Sequence, residues 1–453
     1  MLLIIKIVGK YIHSALSLLL ILIITLISPS YFQAQVNKNG LPIIRNYSAE
    51  EYNAHSQNWS IIKDKRGVMY FGNNFGLLEF NGAKWEVFDN PNSAALYSLA
   101  VDDSGQIYYG ADGDFGMMVP DSIGELDFFS IYKVYNGGDA DFNAIRGVHV
   151  AKDHILFRSP EKIFACKIPI DTKNKTRIKE NIFELIPETS FHKSFTVGKD
   201  FYVKEIGKGL LKFNDNKLEL IKGSEIFANE RIYMMLAYGE NKILIGSRES
   251  GLYIYDPENE ENSFKEFKCD ANDLIIESSI YDGVNLPGDR FAITTLYNGV
   301  IVINSQGEII EHLTFEHGIN DPTVLSVYYD DLSSNLWFST NESGIYKAAL
   351  GNPFREWNRD NGLYGVVSDI IRIDNIIYVS TSYGVFYLDE NEEGFSTFKP
   401  LDKLKNESWD LEVFKKKNGE EVLLVGTNIG IYEVNGNNVK LIMDNSFVYK
   451  ITK

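Results

Sequence analysis

The stretch Val324-Leu-Ser-Val-Tyr-Tyr-Asp-Asp331, followed by Leu336-Trp-Phe-Ser-Thr340 and Gly344-Ile-Tyr346, alternates short apolar runs with turns that carry Asp, Ser or Gly. Runs this short, rich in β-branched and aromatic residues, read as strands of an antiparallel meander. The same order appears upstream as Trp59-Ser-Ile-Ile-Lys-Asp-Lys-Arg-Gly67-Val-Met-Tyr-Phe-Gly72, then Gly76-Leu-Leu-Glu-Phe80. It returns as Leu96-Tyr-Ser-Leu-Ala-Val101, Ile107-Tyr-Tyr-Gly110 and Gly116-Met-Met-Val119, and again as Val422-Leu-Leu-Val-Gly-Thr427 with Gly430-Ile-Tyr-Glu-Val434. A fourth run follows in Lys84-Trp85-Glu-Val-Phe88, Leu126-Asp-Phe-Phe129, Phe264-Lys-Glu-Phe267 and Phe354-Arg-Glu-Trp357.

The glycine that opens the third run falls at Gly76, Gly116, Gly209, Gly251, Gly299, Gly344, Gly384 and Gly430, and a weaker copy near Ile163 fills the widest gap. Gly76 to Gly430 spans 354 residues over eight intervals, about 44 per repeat, the length of a four-stranded propeller blade. Tyr70, Tyr108, Trp337 and Tyr378 are expected to fill the space between adjacent blades. Nine repeats exceed the roughly four to eight that close one ring. The fold expected is therefore all-β, a seven-bladed ring followed by two or more blades of an incomplete second propeller. Residues 36–358 form the ring. Residues 359–453 hold two further blades and the start of a third at Ser446-Phe-Val-Tyr-Lys-Ile-Thr-Lys453.

Ahead of the repeats, Lys6 and Lys10 precede an apolar run from Ala15 to Ile27 and then Ser28-Pro29-Ser30. A basic start, a short apolar stretch and a small or polar exit predict a secretory signal over residues 1–34. The run is shorter than the roughly 20 residues of a membrane span, which leaves an uncleaved anchor as the lesser reading. The location predicted is periplasmic or secreted. Of the 453 residues, 62 are acidic and 44 basic, a net charge of −18. Such a chain repels phosphate backbones, so nucleic acid is not an expected partner. Tyr (26), Phe (28) and Gly (36) far outnumber Pro (12), which favours strands and tight turns over helices.

The segments Gly40-Leu-Pro-Ile-Ile-Arg-Asn-Tyr-Ser48, Gln57-Asn-Trp-Ser60 and Arg66-Gly-Val-Met-Tyr-Phe-Gly-Asn-Asn74 resemble the sensor region of the two-component regulator propeller family, common in Bacteroidota. The resemblance covers the mature chain, and Asp331 to Ile345 keeps the family repeat best. It implies two tandem seven-bladed propellers, a triple-tyrosine immunoglobulin-like domain, a membrane helix and an output domain. It also implies recognition of glycans or their breakdown products. This sequence lacks a complete second propeller, a later span, kinase motifs and a DNA-binding helix pair, so it reads as a truncated sensor that relies on a membrane-bound kinase or regulator.

Catalytic and metal motifs are sparse. The seven histidines, His149 and His154 among them, form no HExxH or HxH set, and Asp112-Gly-Asp114 lacks the remaining ligands of a calcium loop,. Cys166 and Cys269 lie in repeats that are not ring neighbours, so they are expected to stay unpaired. No cofactor, metal or catalytic residue is assigned, and a non-enzymatic protein is expected. In a four-stranded meander the second-to-third turn and the blade-to-blade connection emerge on one face. That face gathers Trp59, Asn74, Phe75, Asp114, Phe115, Arg146, Arg158, Arg248, Tyr297 and Asn341. Aromatic, amide and guanidinium groups suit a polar extracellular small molecule or an oligosaccharide. The rival readings are a secreted hydrolase or lyase acting on polysaccharide and a protein-interaction scaffold. Paired carboxylates at a central pocket favour the first, and a pocketless face favours the second. The unfinished second propeller is expected to promote self-association.

Overall fold

The computed structural model describes residues 40–452 except 139, 260–262, 391–395 and 437. The expected signal at residues 1–34 lies outside the described residues. The described chain folds into nine sheets, each of four antiparallel strands. Seven of them, blades 1 to 7, stand around a common axis. Their innermost strands are Asn58–Lys63, Leu96–Val101, Gly147–Ala151, Phe191–Val197, Ile232–Tyr238, Ile280–Leu286 and Val324–Asp330. Each packs on the next, and the seventh packs on the first, which closes the ring.

Closure uses a strand the repeat pattern does not reveal. Blade 7 takes its outer strand from Ile44–Tyr47, with Ile44 opposite Ala348 and Tyr47 opposite Ile345. The segment Phe354–Trp357, expected to be that strand, is displaced. Its Glu356 pairs with Leu41 instead, through backbone hydrogen bonds of 2.9 and 3.0 Å. The physical reason is that a ring made from one chain must join its ends. A strand from the start of the chain bonded into the last blade ties the two ends with main-chain hydrogen bonds and removes an open edge. Asn46 adds a side-chain hydrogen bond of 2.7 Å to the carbonyl of Ser343.

The second strand of a blade is covered on both faces by its neighbours, and so its middle is apolar: Met69–Asn73 and Ile107–Ala111 are buried along their whole length, with Asn73 the one polar side chain between them. Outer strands such as Trp85–Asp89 are only half-buried. The four aromatic residues expected between blades are there. Tyr70 packs with Leu96 and Leu99 of blade 2, and Tyr108 with Phe157 of blade 3. Trp337 packs with Phe71 of blade 1, and Tyr378 with Leu411 of blade 9. Gly299, just before a third strand, has φ +68°, and a Cβ there would come within 2.0 Å of the Leu313 carbonyl. Gly116 differs from the pattern: its blade's third strand starts earlier, at Asp114, and the glycine is required by the Phe129 carbonyl, also 2.0 Å from a Cβ. Single-turn helices at Ile131–Asn136, Lys175–Glu180 and Asn272–Glu277 bridge strands, although the sequence has no helical period.

Blades 8 and 9 begin with Val367–Ile373 and Ser408–Lys415, which pack on each other. Residues 446–452 form no strand, contrary to expectation, yet they lie where a tenth inner strand belongs. Leu99 N–H donates to Ser60 between blades 1 and 2 at 3.0 Å, and Leu411 N–H to Asp369 between blades 8 and 9 at 3.0 Å. In the same relation, Ile451 N–H donates to Asp410 at 2.6 Å. Tyr449 stacks on Trp409 at 4.3 Å, as Tyr97 meets Trp59 at 5.6 Å.

Candidate functional site

The inner strands are not straight ladders. In blades 1, 2, 5, 6 and 7 the pairing skips the second residue, so one extra residue stands opposite the neighbouring strand. Such a bulge re-aims a side chain. The skipped residues are Trp59, Tyr97, Tyr233, Tyr281 and Leu325, and all five line a central cavity of ≈ 830 Å³. Blade 4 has its bulge between Phe191 and Ser194 and contributes His192 and Lys193. Blade 3 has no bulge and contributes His149 from its strand, with Arg146 and Arg158 from the strand ends.

The rings and cations form a connected wall. Tyr233 and Tyr281 stack at 5.4 Å, and His192 meets Tyr233 edge-on at 5.0 Å. Arg146 lies over Tyr97 at 4.2 Å and Arg248 over Tyr233 at 3.8 Å, distances at which a guanidinium is held by the ring face,. Lys193 donates to the Tyr281 carbonyl at 2.7 Å and pairs with Asp282 at 3.2 Å. Arg158 is 3 % exposed. Its Nη2 donates to the Arg146 carbonyl at 3.0 Å and its Nε to Ser194 Oγ at 3.4 Å. Burial, with Arg146 nearby, pushes Arg158 down to about 10. Burial also lowers Lys193, an effect that Asp282 opposes.

Of the ten residues singled out by sequence, three line the cavity: Trp59, Arg146 and Arg158. Arg248 reaches it by covering Tyr233 and donating to the Ile280 carbonyl. Asn74 and Asn341 support it from behind. Trp59 Nε1 donates to Asn74 Oδ1 at 2.7 Å, and Gln57 bridges Asn74 and Asn341 at 2.8 and 2.6 Å. Phe75 and Tyr297 stay exposed on loops, with Phe75 against His55. Asp114 and Phe115 are corrections: they belong to a strand rather than a loop, and both are buried. Phe115 stacks on Phe157 at 4.4 Å in the core, and Asp114 is bonded to Ser130, burial raising its carboxyl pKa.

Sequence reasoning missed Tyr97, His192, Lys193, Tyr233, Tyr281 and Asp282. A signal for three of them exists. Leu96-Tyr97, Ile232-Tyr233 and Ile280-Tyr281 each place an aromatic residue directly after a fully buried aliphatic one, which breaks the in–out alternation at the same point of the repeat. Among the described residues no cluster of His, Cys, Asp and Glu is arranged to hold a metal ion, and Cys166 and Cys269 are both free.

The cavity histidines make stability pH-dependent. Burial holds His149 at about 3 and His192 at about 4, with the positive charge of Arg158 adding to it in both. The folded protein keeps them neutral, whereas the unfolded chain protonates them below about pH 6.5. Their contribution is complete above pH 6.5 and is lost as pH falls toward 4. Denaturant titrations should show this as a loss of several kcal/mol, about 3 for each histidine at most. The variant His149→Gln/His192→Gln should lose less over the same interval; an equally steep fall in it refutes the assignment.

No family model matches the sequence, and no curated protein does. Solved structures do match. The extracellular domain of a protein described as a hybrid two-component system, BT3049 from B. thetaiotaomicron, is 15% identical with a TM-score of 0.57 over 89% of this chain and 55% of that one. The corresponding domain of BT4673 from the same organism is 14% identical, with a TM-score of 0.52 over 87% and 52%. The chain shares the propeller fold of these extracellular domains. It spans about half their length. The resemblance drawn from the sequence is thus matched at the level of fold. Virginiamycin B lyase from Staphylococcus aureus, an enzyme by its name, is 11% identical with a TM-score of 0.50 and covers 67% of this chain and 98% of that one. Propellers of this form therefore serve more than one kind of function, and the site has to decide.

Proposed function

We propose that the chain is the ligand-binding propeller of an exported two-component-type sensor, a member of the regulator propeller family. A signal over residues 1–34 directs it to the periplasm or the exterior. The ring at 36–358 binds the ligand, and residues 359–453 open a second propeller. A membrane-bound kinase or regulator transmits the signal. The observation that carries the reading is the central cavity, lined by bulged aromatic residues and by Arg146, Arg158 and Lys193. Aromatic faces with fixed polar groups around a concave space are the usual make-up of a small-molecule site, and they suit an oligosaccharide.

The hydrolase or lyase reading needs paired carboxylates about 5–10 Å apart. Asp282 is the one carboxylate among the residues that line the cavity, and it is engaged with Lys193. The scaffold reading needs a pocketless face, which an 830 Å³ cavity does not provide.

Calorimetric titration of the whole chain with an oligosaccharide panel tests the proposal. For any binder found, Trp59→Ala and Arg248→Ala should each weaken affinity at least fivefold, an effect of about 1 kcal/mol. Phe75→Ala should leave it unchanged, since Phe75 is 54 % exposed and outside the cavity. Equal affinity in the Trp59 and Arg248 variants, or a loss confined to Phe75→Ala, moves the site elsewhere.

A further inference from the structure

We infer that the ligand of the central cavity is an acidic oligosaccharide, whose anionic group is held between Arg146 and Arg158. The inference rests on the cavity being the ligand site and adds the charge of what it takes. The protein carries a net charge of −18, so a basic cavity is not a by-product of composition. Arg146, Arg158 and Lys193 line it against a single carboxylate, Asp282, and Lys193 already pairs with that group. Arg146, Arg158 and the adjacent Arg248 form no ion pair among the described residues.

Arg158 is the telling member. A guanidinium that is 3 % exposed is costly to bury unless an anion compensates it,. Its observed hydrogen bonds go only to neutral acceptors, the Arg146 carbonyl and Ser194 Oγ. Glu161 is near enough to favour its charge, but that carboxylate accepts from Asn143 Nδ2 at 2.7 Å. Asp112, beside the Tyr97 ring that Arg146 covers, accepts from the Tyr97 hydroxyl at 3.2 Å. The guanidinium of Arg146 is positioned in advance, 4.2 Å over Tyr97. A pre-positioned planar fork is suited to a carboxylate or a sulfate oxygen pair. The rings of Trp59 and Tyr281 then supply apolar faces for the sugar body.

The test is calorimetry on the whole chain with three probes of equal length: a galacturonate tetramer, a sulfated heparin-derived tetramer and neutral cellotetraose. One acidic probe should bind at least tenfold more tightly than the neutral one, and more weakly as salt is raised. Binding of the galacturonate tetramer shows that a carboxylate suffices, whereas binding of the heparin-derived tetramer alone, which carries carboxylates as well, assigns the site to sulfate. Arg158→Gln is expected to weaken that probe tenfold or more, as loss of a charge-assisted hydrogen bond does. Since Arg158 is buried and its variant could unfold, Arg146→Gln, at an exposed position, should give the same direction with the fold retained. Cellotetraose binding as tightly as both acidic probes overturns the inference but leaves the cavity as a sugar site. Binding of neither acidic probe also overturns it, and the response to cellotetraose then decides separately whether the cavity is a sugar site.

Discussion

Replacing Tyr47 with Ala is expected to destabilise the ring by about 3–5 kcal/mol, the range for truncating a large buried aromatic residue. Tyr47 is 3 % exposed and belongs to the strand Ile44–Tyr47 that completes blade 7. Its ring stacks on Trp337 at 5.7 Å within its own blade and meets Phe80 and Trp85 of blade 1 at 5.4 Å each. It therefore stitches the last blade to the first at the point where the chain closes on itself. Truncation leaves a cavity between blades and loosens the strand, whose hydrogen bonds join the ends of the ring. Trp85 and Trp337 report on this seam directly, so denaturant unfolding followed by tryptophan fluorescence is the suitable measurement. Phe354→Ala is the matched control. Phe354 is 74 % exposed and lies in the segment that the repeat pattern assigned to the same strand. Its truncation should change stability by less than about 0.5 kcal/mol. The reverse order of effects would restore Phe354–Trp357 as the closing strand and overturn this account of closure.

The second large effect is a difference in local stability between the ring and the two blades after it. In the ring every blade is covered on both faces. Blade 8 is not: Val366, Val367 and Ile370 are exposed on or beside its inner strand, with Ile370 at 61 %. On blade 9, Leu441, Ile442 and Met443 are exposed on the outer strand. Blades 8 and 9 bury a core chiefly against each other, with Tyr378, Leu411 and Val425 at its centre. A repeat pair with little neighbour contact is expected to open several kcal/mol below the ring. Limited proteolysis should leave a resistant fragment of roughly 320 residues, about seven repeats.

The cut is expected at 364–368, just before and into the inner strand of blade 8. Asn361 is buried and accepts from Asn358 N–H at 2.6 Å, whereas residues 364–368 are exposed in succession. The exposed aliphatic residues also predict association that grows with protein concentration. Equal hydrogen-exchange protection of ring and later blades, in a protein that stays monomeric, would refute the difference.

The sequence by itself determined the repeat and therefore the blade. A strand of the second kind needs a run of apolar residues at its middle because neighbours cover both its faces, and a tight turn into the third strand needs glycine. Both requirements are local, recur about every 44 residues, and can be read without knowing how the blades are arranged. The aromatic filler at Tyr70, Tyr108, Trp337 and Tyr378 was legible for the same reason. What only the tertiary structure decided were matters of closure and convergence. Ile44–Tyr47 carries no repeat signature, and it becomes the last strand of blade 7 because the ring must join its ends. Asp114 and Phe115 carry turn-like neighbours, yet an early strand start buries them. Trp59, Tyr97, Arg158, Lys193 and Tyr281 lie far apart in the chain, and bulges and ring curvature bring them to one cavity. The period of a repeat is a property of neighbours along the chain, whereas a central cavity is a property of the closed ring.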